Sequence, residues 1–384
     1  MASINFAGNT YAGEVLEDLL VYTAKGNETY EAGLVHVKPG IQKRYVLPHI
    51  QLGSIIQDNK PTPTSTEGAA NDSTGFNQYK LSERHLDPQD FMVYLEFNPR
   101  DFEEYWRFAQ PEGPLVFREL APEVQKTMLR LLLDRKDQYI NDCIWCGKKG
   151  GESTTITTPT GATTLGGASA AGPMKYFDGA LARVLANLKA QAVVAAGGVT
   201  VTEADKNEVA SGQVVLAGST AFTTGKDVED ALYVIWKKTP SHVRKSKKLK
   251  FVMGWEVWDL YDQYLTTQKD YKYVENPDVN KRTFKGKQIV VIDGVPESTI
   301  FFGKFSADQD SCLWMAIDYS TDEESVKVER LQANSEMYFF QMRLKMDVNL
   351  VRPSEIVVWT PYQNATTTTP PSGGGGNGQG GDGG

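Results

Sequence analysis

The stretch KLKFVMGWEVWDLYDQY, residues 248–264, places two different periodicities side by side. Leu249 to Met253 form a short apolar run that is typical of a buried strand. From Trp255 to Thr266, apolar residues recur at the spacing of a helix. A strand followed by a helix is characteristic of architectures that mix helices and sheets, and we predict such an architecture for this part of the chain.

The same alternation continues on both sides of this stretch. A new unit begins near Met174, where apolar residues at intervals of three and four predict a helix: Phe177, Leu181, Val184, Leu185 and Leu188. Another helix is predicted at 227–238. Strands are predicted downstream at 288–292, 299–302, 312–317, 326–331, 337–351 and 355–359. Asp293-Gly294-Val295-Pro296 predicts a tight turn, because Asp and Gly tolerate the backbone angles that such turns require.

Extended segments dominate the N-terminal part of the chain. Apolar residues between Val15 and Leu20 predict a short helix on an arm. Strands at 34–37 and 44–47 are predicted to form a hairpin around Lys38-Pro39-Gly40, and further strands are predicted at 76–81 and 91–97. Between Gln57 and Gln78 the sequence DNKPTPTSTEGAANDSTGFNQ offers almost nothing to a core, which predicts a projecting loop.

A long helix is predicted at 123–145, directly after Pro122, since proline suits the first turn of a helix. At ~1.5 Å per residue it would be ~35 Å long. Its predicted apolar stripe comprises Val124, Met128, Leu131, Leu132 and Ile140, with Lys126, Arg130, Arg135 and Lys136 facing elsewhere. The Gly-, Thr- and Ser-rich run at 152–173 is interpreted as a linker or surface loop.

Composition restricts the class of protein. The chain has 384 residues, of which 40% are hydrophobic, so it can bury a sizeable core. Its formal net charge of -8 provides no overall attraction to a phosphate backbone. Acidic residues interrupt the first twenty residues, which argues against an export signal, and no apolar run approaches the ~20 residues of a membrane span. Three cysteines are too few for a disulfide framework, and a reducing cytoplasm is expected.

The order of these elements resembles that of the major capsid proteins of tailed bacteriophages, which have the Hong Kong 97-type fold, over residues 30–359. Four segments carry the resemblance: YFDGALARVLANL at 176–188, KLKFVMGWEVWDLYDQY at 248–264, FKGKQIVVIDGVPESTIFFGKF at 284–305 and MRLKMDVNLVRPSEIVVW at 342–359. In the third segment, Phe284-Lys285-Gly286-Lys287 leads into an apolar strand, a turn with Pro296 and a second apolar strand. Capsid proteins of this family often show that rhythm.

The resemblance implies an α+β fold with six parts: an N-terminal arm (1–30), an extended β-loop region (31–97), a peripheral domain with a long spine helix (98–172), a mixed α/β axial domain (173–340), a strand returning to the peripheral domain (341–360) and a disordered Gly-rich tail (361–384). It implies a structural protein, without catalytic residues, cofactor or metal. Copies would assemble as hexamers and pentamers into an icosahedral head that encloses double-stranded DNA, after synthesis in the bacterial cytoplasm. A separate scaffolding protein, a portal and a decoration protein are the further candidate partners.

Two groups of residues are candidates for contacts in such a shell. Some family members form a covalent cross-link from a Lys on the extended loop. The corresponding region here contains the candidate inter-subunit residues Lys60, Pro61, Thr62, Pro63 and Lys80. A concentrated basic patch comprises Lys237, Lys238, Arg244, Lys245, Lys247, Lys248 and Lys250. It is interpreted either as a contact for packaged DNA or an acidic neighbour, or as a solvated loop, which is the more common role of such charge runs.

Three other functions remain open from the sequence, and one of them is a DNA-binding module that would use residues 237–250. An encapsulin-like nanocompartment has the same fold but encloses cargo protein. Cys143-Ile144-Trp145-Cys146 has the spacing of a thiol oxidoreductase, but it falls at the end of a predicted helix, where the helix dipole opposes thiolate formation. Two thiols that simply pack at a helix end are the more common explanation. The scattered histidines and the Gly-rich runs match no catalytic or phosphate-binding motif.

Overall fold

The computed structural model describes residues 3–6, 9–12, 27–52, 59, 79–98, 122–151, 154–158, 161–169, 171–196, 201–267, 282–318, 326–332 and 337–362. The strands are β1 (Ser3–Phe6), β2 (Asn9–Ala12), β3 (His36–Pro39), β4 (Tyr45–Leu52), β5 (Tyr79–Leu86), β6 (Gln89–Phe97), β7 (Thr154–Thr158), β8 (Gly161–Leu165), β9 (Ala168–Ser169), β10 (Gly172–Pro173), β11 (Val215–Gly218), β12 (Leu249–Met253), β13 (Thr283–Phe284), β14 (Lys287–Val291), β15 (Ile300–Lys304), β16 (Leu313–Asp318), β17 (Val326–Arg330), β18 (Tyr338–Leu350) and β19 (Val357–Trp359). The helices are α1 (Glu28–Glu31), α2 (Pro122–Cys146), α3 (Ala180–Ala196), α4 (Glu203–Ala210), α5 (Gly225–Lys238), α6 (Ser241–Arg244) and α7 (Trp255–Thr267), with a 3₁₀ turn at Pro353–Glu355. The predicted mixture of helices and sheets is confirmed.

A six-stranded sheet with the order β11-β19-β15-β12-β14-β13 forms the centre of one unit. Strand β12 lies in its interior, parallel to β14 and antiparallel to β15. Helices α5 and α7 contribute Leu232, Ile235 and Val257 to a core that includes Phe251 and Phe302 of the sheet. The strand and helix predicted from residues 248–264 are both confirmed.

A five-stranded sheet forms the second unit, and β18 is its longest strand, with 13 residues. The first part of β18 lies between β6 and β17, and its last residues pair with β16, which is parallel to β3. Helix α3 packs on β18, and Ile144, Trp145 and Leu181 of α2 and α3 are fully buried in a core to which both large sheets contribute. The predicted long helix is confirmed as the 25-residue α2.

The predicted hairpin around Lys38-Pro39-Gly40 is wrong. Strand β3 does not fold back on β4. It pairs in parallel with β16, and the N–H of Gly40 donates to the carbonyl of Ile317 at 2.9 Å. Since Pro39 has no N–H to donate, it suits a strand at the edge of a sheet. Strand β4 pairs with β5 instead.

Four further expectations differ from the structure. Leu131, placed in the apolar stripe of α2, is 65% exposed, and Lys136, predicted to face away from the core, is buried in an ion pair with Asp137. The segment at 152–173 contains the β7–β8 hairpin rather than only loop. Strands β16 and β17 belong to the five-stranded sheet, and β19 returns to the six-stranded sheet. Tyr362 is buried, so the predicted start of the tail at residue 361 is too early.

The helix predicted near Val15 lies outside the described residues, as does the tail from residue 363 onward. Within the described part of the chain, no helix has both the length and the apolar character needed to cross a bilayer.

Candidate functional site

Strands β4 and β5 form a two-stranded ribbon that pairs with no other strand among the described residues. Strands β4 and β5 pair antiparallel from Tyr45↔Leu86 to Leu52↔Tyr79. At the base of the ribbon, Leu47 and Leu86 are buried in a small cluster with Ile41 and Ala316. The next side chain outward from that cluster on β4, Pro48, is exposed. The ribbon is therefore anchored to its own subunit at the base.

The ribbon separates from the five-stranded sheet at Asp87, between β5 and β6. At this point side chains of β18, rather than its backbone, form hydrogen bonds with the backbone of β5 and of Asp87. The N–H of Asp87 donates to Oδ2 of Asp347 at 2.8 Å, and Nδ2 of Asn349 donates to the carbonyl of His85 at 2.7 Å. Side-chain bonds of this kind satisfy backbone groups while the two strands diverge.

Arg84 of β5 lies at the centre of this junction and is only 4% exposed. Its guanidinium donates to Oγ of Ser211 at 2.8 Å and to the carbonyl of Leu350 at 3.0 Å, and it forms an ion pair with Glu208. Burial lowers the pKa of Arg84, and the carboxylate of Glu208 opposes that effect. A buried cation with this many partners fixes the direction of the strand that carries it.

A second buried charge lies beside the junction. Burial raises the pKa of Asp347, whereas the guanidinium of Arg183, 3.1 Å away, opposes the rise. Because Arg183 belongs to α3, this pair ties the helix to β18. Helix α4, which carries Glu208, and helix α3 therefore both support the base of the ribbon. We name this set, comprising Arg84, Arg183, Glu208, Asp347 and Asn349, the ribbon junction.

No pattern in the sequence indicated the ribbon junction. Asp347 and Asn349 lie at alternate positions of β18, which the alternating pattern assigns to the solvent side. In the structure they are 2% and 5% exposed, because β5 and its surroundings cover that face. A polar residue on a long strand is indistinguishable from an exposed one until its partners, distant in sequence, are known.

The predicted inter-subunit loop residues are mostly outside the described part of the chain. Lys60, Pro61, Thr62 and Pro63 all lie there. Lys80 lies on β5 opposite Gln51, in the part of the ribbon beyond its buried base. A role for these residues in contacts between subunits stays a prediction.

The predicted basic patch spans the end of α5, helix α6 and the start of β12. Its members have different environments. Lys238 donates to the carbonyls of Leu216 and Ala217, and Lys250 donates to those of Ala32 and Gly33. Arg244 lies 5.6 Å from the ring centre of Trp236 and donates to backbone carbonyls.

Lys248 forms ion pairs with Asp308 and Asp310, at 2.8 and 2.9 Å. Lys237, Lys245 and Lys247 are exposed, and within the described residues their side chains have no ion pair. The patch is thus partly structural and partly open to a partner.

The CxxC thiols lie in packed surroundings at the C-terminal end of α2. Burial raises the pKa of Cys143 to about 12 and also raises that of Cys146, whose Sγ donates to the carbonyl of Gly294 at 3.2 Å. A raised pKa disfavours the thiolate that redox chemistry needs. Cys312 is also buried as a free thiol.

An acidic hollow lies between α1, α2 and the turn at Asp293, with a volume of about 340 Å³. Its lining comprises Asn27, Glu28, Asp134, Asp137, Gln138, Asn141 and Asp293. Next to it, burial and the charge of Asp293 raise the pKa of Asp142 to about 6. Among the described residues, no group of side chains has the arrangement of a metal site.

Exposed apolar side chains mark two surfaces. On β6, Met92 and Tyr94 share one face of the strand and are 58% and 46% exposed. On the helical side of the six-stranded sheet, Tyr233 and Trp255 are each 45% exposed. Large exposed apolar side chains that occur in groups are typical of surfaces that bind other proteins.

No protein-family model matches the sequence, and no curated protein matches it. Similar backbone arrangements occur in solved structures. One similar chain comes from a structure of the satellite phage P4 procapsid, which includes the size determination (Sid) protein. The TM-score is 0.45 at 10% sequence identity, and the match covers 91% of this chain and 100% of that chain. The capsid of Myoviridae phage XM1 has a TM-score of 0.46 at 10% identity, with 86% and 91% covered.

The holo-SrpI encapsulin complex from Synechococcus elongatus PCC 7942 has a TM-score of 0.41 at 10% identity, with 88% and 89% covered. The chain is thus similar in backbone arrangement to proteins of phage capsids and of an encapsulin.

Proposed function

We propose that this chain is the subunit of a closed protein shell, the major capsid protein of a tailed bacteriophage. The ribbon is the observation that carries the proposal. A two-stranded ribbon is only marginally stable by itself in water. Here the base is held by the ribbon junction, and among the described strands β4 and β5 form a ladder only with each other. A neighbouring copy would complete the packing of the ribbon.

Sheet edges and apolar surfaces add to this support. Within the described residues, β6 pairs with β18 on one side only, and its outward face carries Met92 and Tyr94. Monomeric proteins usually protect such edges with charges, proline or short strands. A shell subunit has no need of that protection, since its neighbours cover these surfaces.

Hexamers and pentamers are the capsomers that the resemblance implies, with double-stranded DNA inside the finished head. The proposed partners are a scaffolding protein, a portal and a decoration protein. Because the chain carries a net charge of -8, contact with DNA would be local and nonspecific rather than a property of the whole surface.

Electron microscopy of the expressed chain, combined with size-exclusion chromatography and light scattering, tests the proposal. The expected products are rings and closed shells. A chain that stays monomeric at high protein concentration and under molecular crowding would contradict a shell function. Nuclease-protected DNA in particles from infected cells would distinguish a phage head from a nanocompartment that encloses cargo protein.

A further inference from the structure

The unit built on the six-stranded sheet carries separate acidic and basic surfaces. The acidic surface lies on α7 and the first half of α5, and comprises Glu229, Asp230, Glu256, Asp259 and Asp262, with the exposed Lys226 beside it on α5. The basic surface runs from the end of α5 to residue 248, and comprises Lys237, Lys238, Arg244, Lys245, Lys247 and Lys248. Helix α5 connects the two surfaces, with Asp230 and Lys237 separated by about 10 Å along its axis.

Contacts within the subunit explain only some of the charged residues on these two surfaces. Asp227 caps α5 through Thr224, and lysines at the other end of the helix complement its dipole. Lys248 has two aspartate partners. The side chains of Lys245, Lys247, Asp259 and Asp262, in contrast, make no hydrogen bond or ion pair with the described residues.

Exposed aromatic side chains border the acidic surface. Trp255 begins α7 and Tyr233 lies on α5, each 45% exposed. The guanidinium of Arg282 lies 5.1 Å from the ring centres of both Trp255 and Trp258. Tyr, Trp and Arg are the residue types that contribute most to binding at protein interfaces. The acidic surface therefore has the composition of a contact surface with a charged rim.

Resting on the proposed shell function, we infer that these two surfaces bind each other between copies of the chain. Lys245 and Lys247 of one copy would face Asp259 and Asp262 of the next. A closed ring of identical subunits requires two different surfaces on each copy, because every contact is head to tail. Opposite charges on those surfaces orient the subunits as they approach and disfavour wrong pairings.

DNA is the weaker candidate for the basic surface. The acidic surface lies close to it on the same subunit, and the chain as a whole has a net charge of -8. Both features oppose the approach of a polyanion. A second copy of the chain satisfies both surfaces at once.

Charge reversal tests the inference in the full chain. One variant carries Lys245→Glu and Lys247→Glu, a second carries Asp259→Lys and Asp262→Lys, and a third carries all four changes. Each double variant alone should form rings with about tenfold or greater weaker apparent affinity, since like charges then meet. The fourfold variant should recover ring formation. An equal mixture of the two double variants should recover rings with an even number of subunits, in which the two variants alternate. Light scattering and electron microscopy give the readout.

The matched control is Lys149→Glu with Lys175→Glu, which makes the same charge change at exposed positions that have no ion pair with the described residues. It should assemble like the wild type, and circular dichroism should show that every variant is folded. Two results would overturn this inference but leave the shell function standing, provided that the wild type assembles. In the first, both double variants assemble like the wild type. In the second, neither the fourfold variant nor the mixture recovers assembly. The inference would also be overturned if only the variant with Lys245→Glu and Lys247→Glu lost assembly, especially if that variant also bound DNA more weakly. A wild type that never assembles would overturn the shell function itself.

Discussion

At the scale of single residues, Arg84 ties the ribbon to the body, and its replacement is the most direct test of that role. Arg84→Met removes a buried cation, so Glu208 loses its ion pair and Asn349 loses one of its hydrogen bonds. We expect the free energy of unfolding to fall by about 3 kcal/mol, because one member of a buried ion pair is lost. Urea denaturation measures the change.

Arg44→Met is the control, since Arg44 pairs with Asp87 on the same ribbon but its side chain is 62% exposed. Its effect should be much smaller, as is usual for exposed ion pairs. Equal losses from the two substitutions would show that the ribbon junction has no special role in stability.

Asp142 provides a pH-dependent test at the same scale. Burial, followed by the charge of Asp293, raises its pKa from the ordinary 3.8 to about 6. The folded protein therefore binds this proton more tightly than the unfolded chain does, and stability falls as the pH rises from about 4 to 6. Asp142→Asn should stabilise the protein at pH 7 by about 1 kcal/mol, after allowance for solvent screening, and should have little effect at pH 4.

Melting temperatures measured at both pH values check this expectation. Asp134→Asn is a suitable control, since it removes another carboxylate from the same helix. A gain for Asp142→Asn that is the same at pH 4 and pH 7 would indicate a cause other than ionisation.

Single residues were also the least predictable from the sequence. Lys136 was expected to face away from the core, as lysines usually do. Its burial depends on Asp137, and adjacent residues of a helix do not share one face, so helical spacing alone could not suggest the pair. Arg84 and Asp347 depend on partners more than a hundred residues away in the chain. Local patterns carry no information about such partners.

At the scale of elements, the sequence predicted most of the helices and strands but not how the strands pair. Strand β12 was predicted with its bounds, because a short apolar run indicates an interior strand. The partner of β3 was predicted wrongly, since β16 lies almost three hundred residues away and parallel pairing leaves no turn signal. Helix α4 and strand β11 were not predicted, and the Thr202 capping box before α4 is the signal that would have indicated the helix.

The ribbon connection provides a test at this scale. Replacement of residues 59–77 by a short Gly-Ser turn should leave the fold of the subunit intact, because the buried base and the ribbon junction lie outside the replaced segment. Surface connections contribute little to the core of a protein. Assembly should be lost or greatly weakened, since the outer ribbon is proposed to contact a neighbour.

Circular dichroism and thermal melting report on the subunit, and electron microscopy reports on assembly. The control replaces residues 59–77 by an unstructured Gly-Ser segment of the same length as the native segment, so that the native residues on both sides are retained. Normal, equally stable shells from the shortened variant would contradict the bracing role of the ribbon.

At the scale of the whole molecule, the chain passes between its two sheets more than once. It leaves the six-stranded sheet after β15, forms β16 to β18 of the five-stranded sheet, and returns as β19. Thr360 and Tyr362 then close this return: the N–H of Thr360 donates to the carbonyl of Gly218, and its hydroxyl lies 3.1 Å from that of Thr299. The order of the folded structure therefore extends to Tyr362, past the last strand.

Truncation at two neighbouring positions tests where the folded body ends. Removal of all residues after Tyr362 should leave the melting temperature unchanged. The removed residues are rich in Gly and Thr and offer almost no apolar surface to bury. Removal of all residues after Trp359 should lower the free energy of unfolding by about 3 kcal/mol, because it also deletes Tyr362, which is 1% exposed within the larger core. Tyr362→Ala in the full chain should show a similar loss and separates the effect of this side chain from that of chain length. If both truncations melt like the wild type, Tyr362 contributes nothing to the core, and the body of the protein ends at β19.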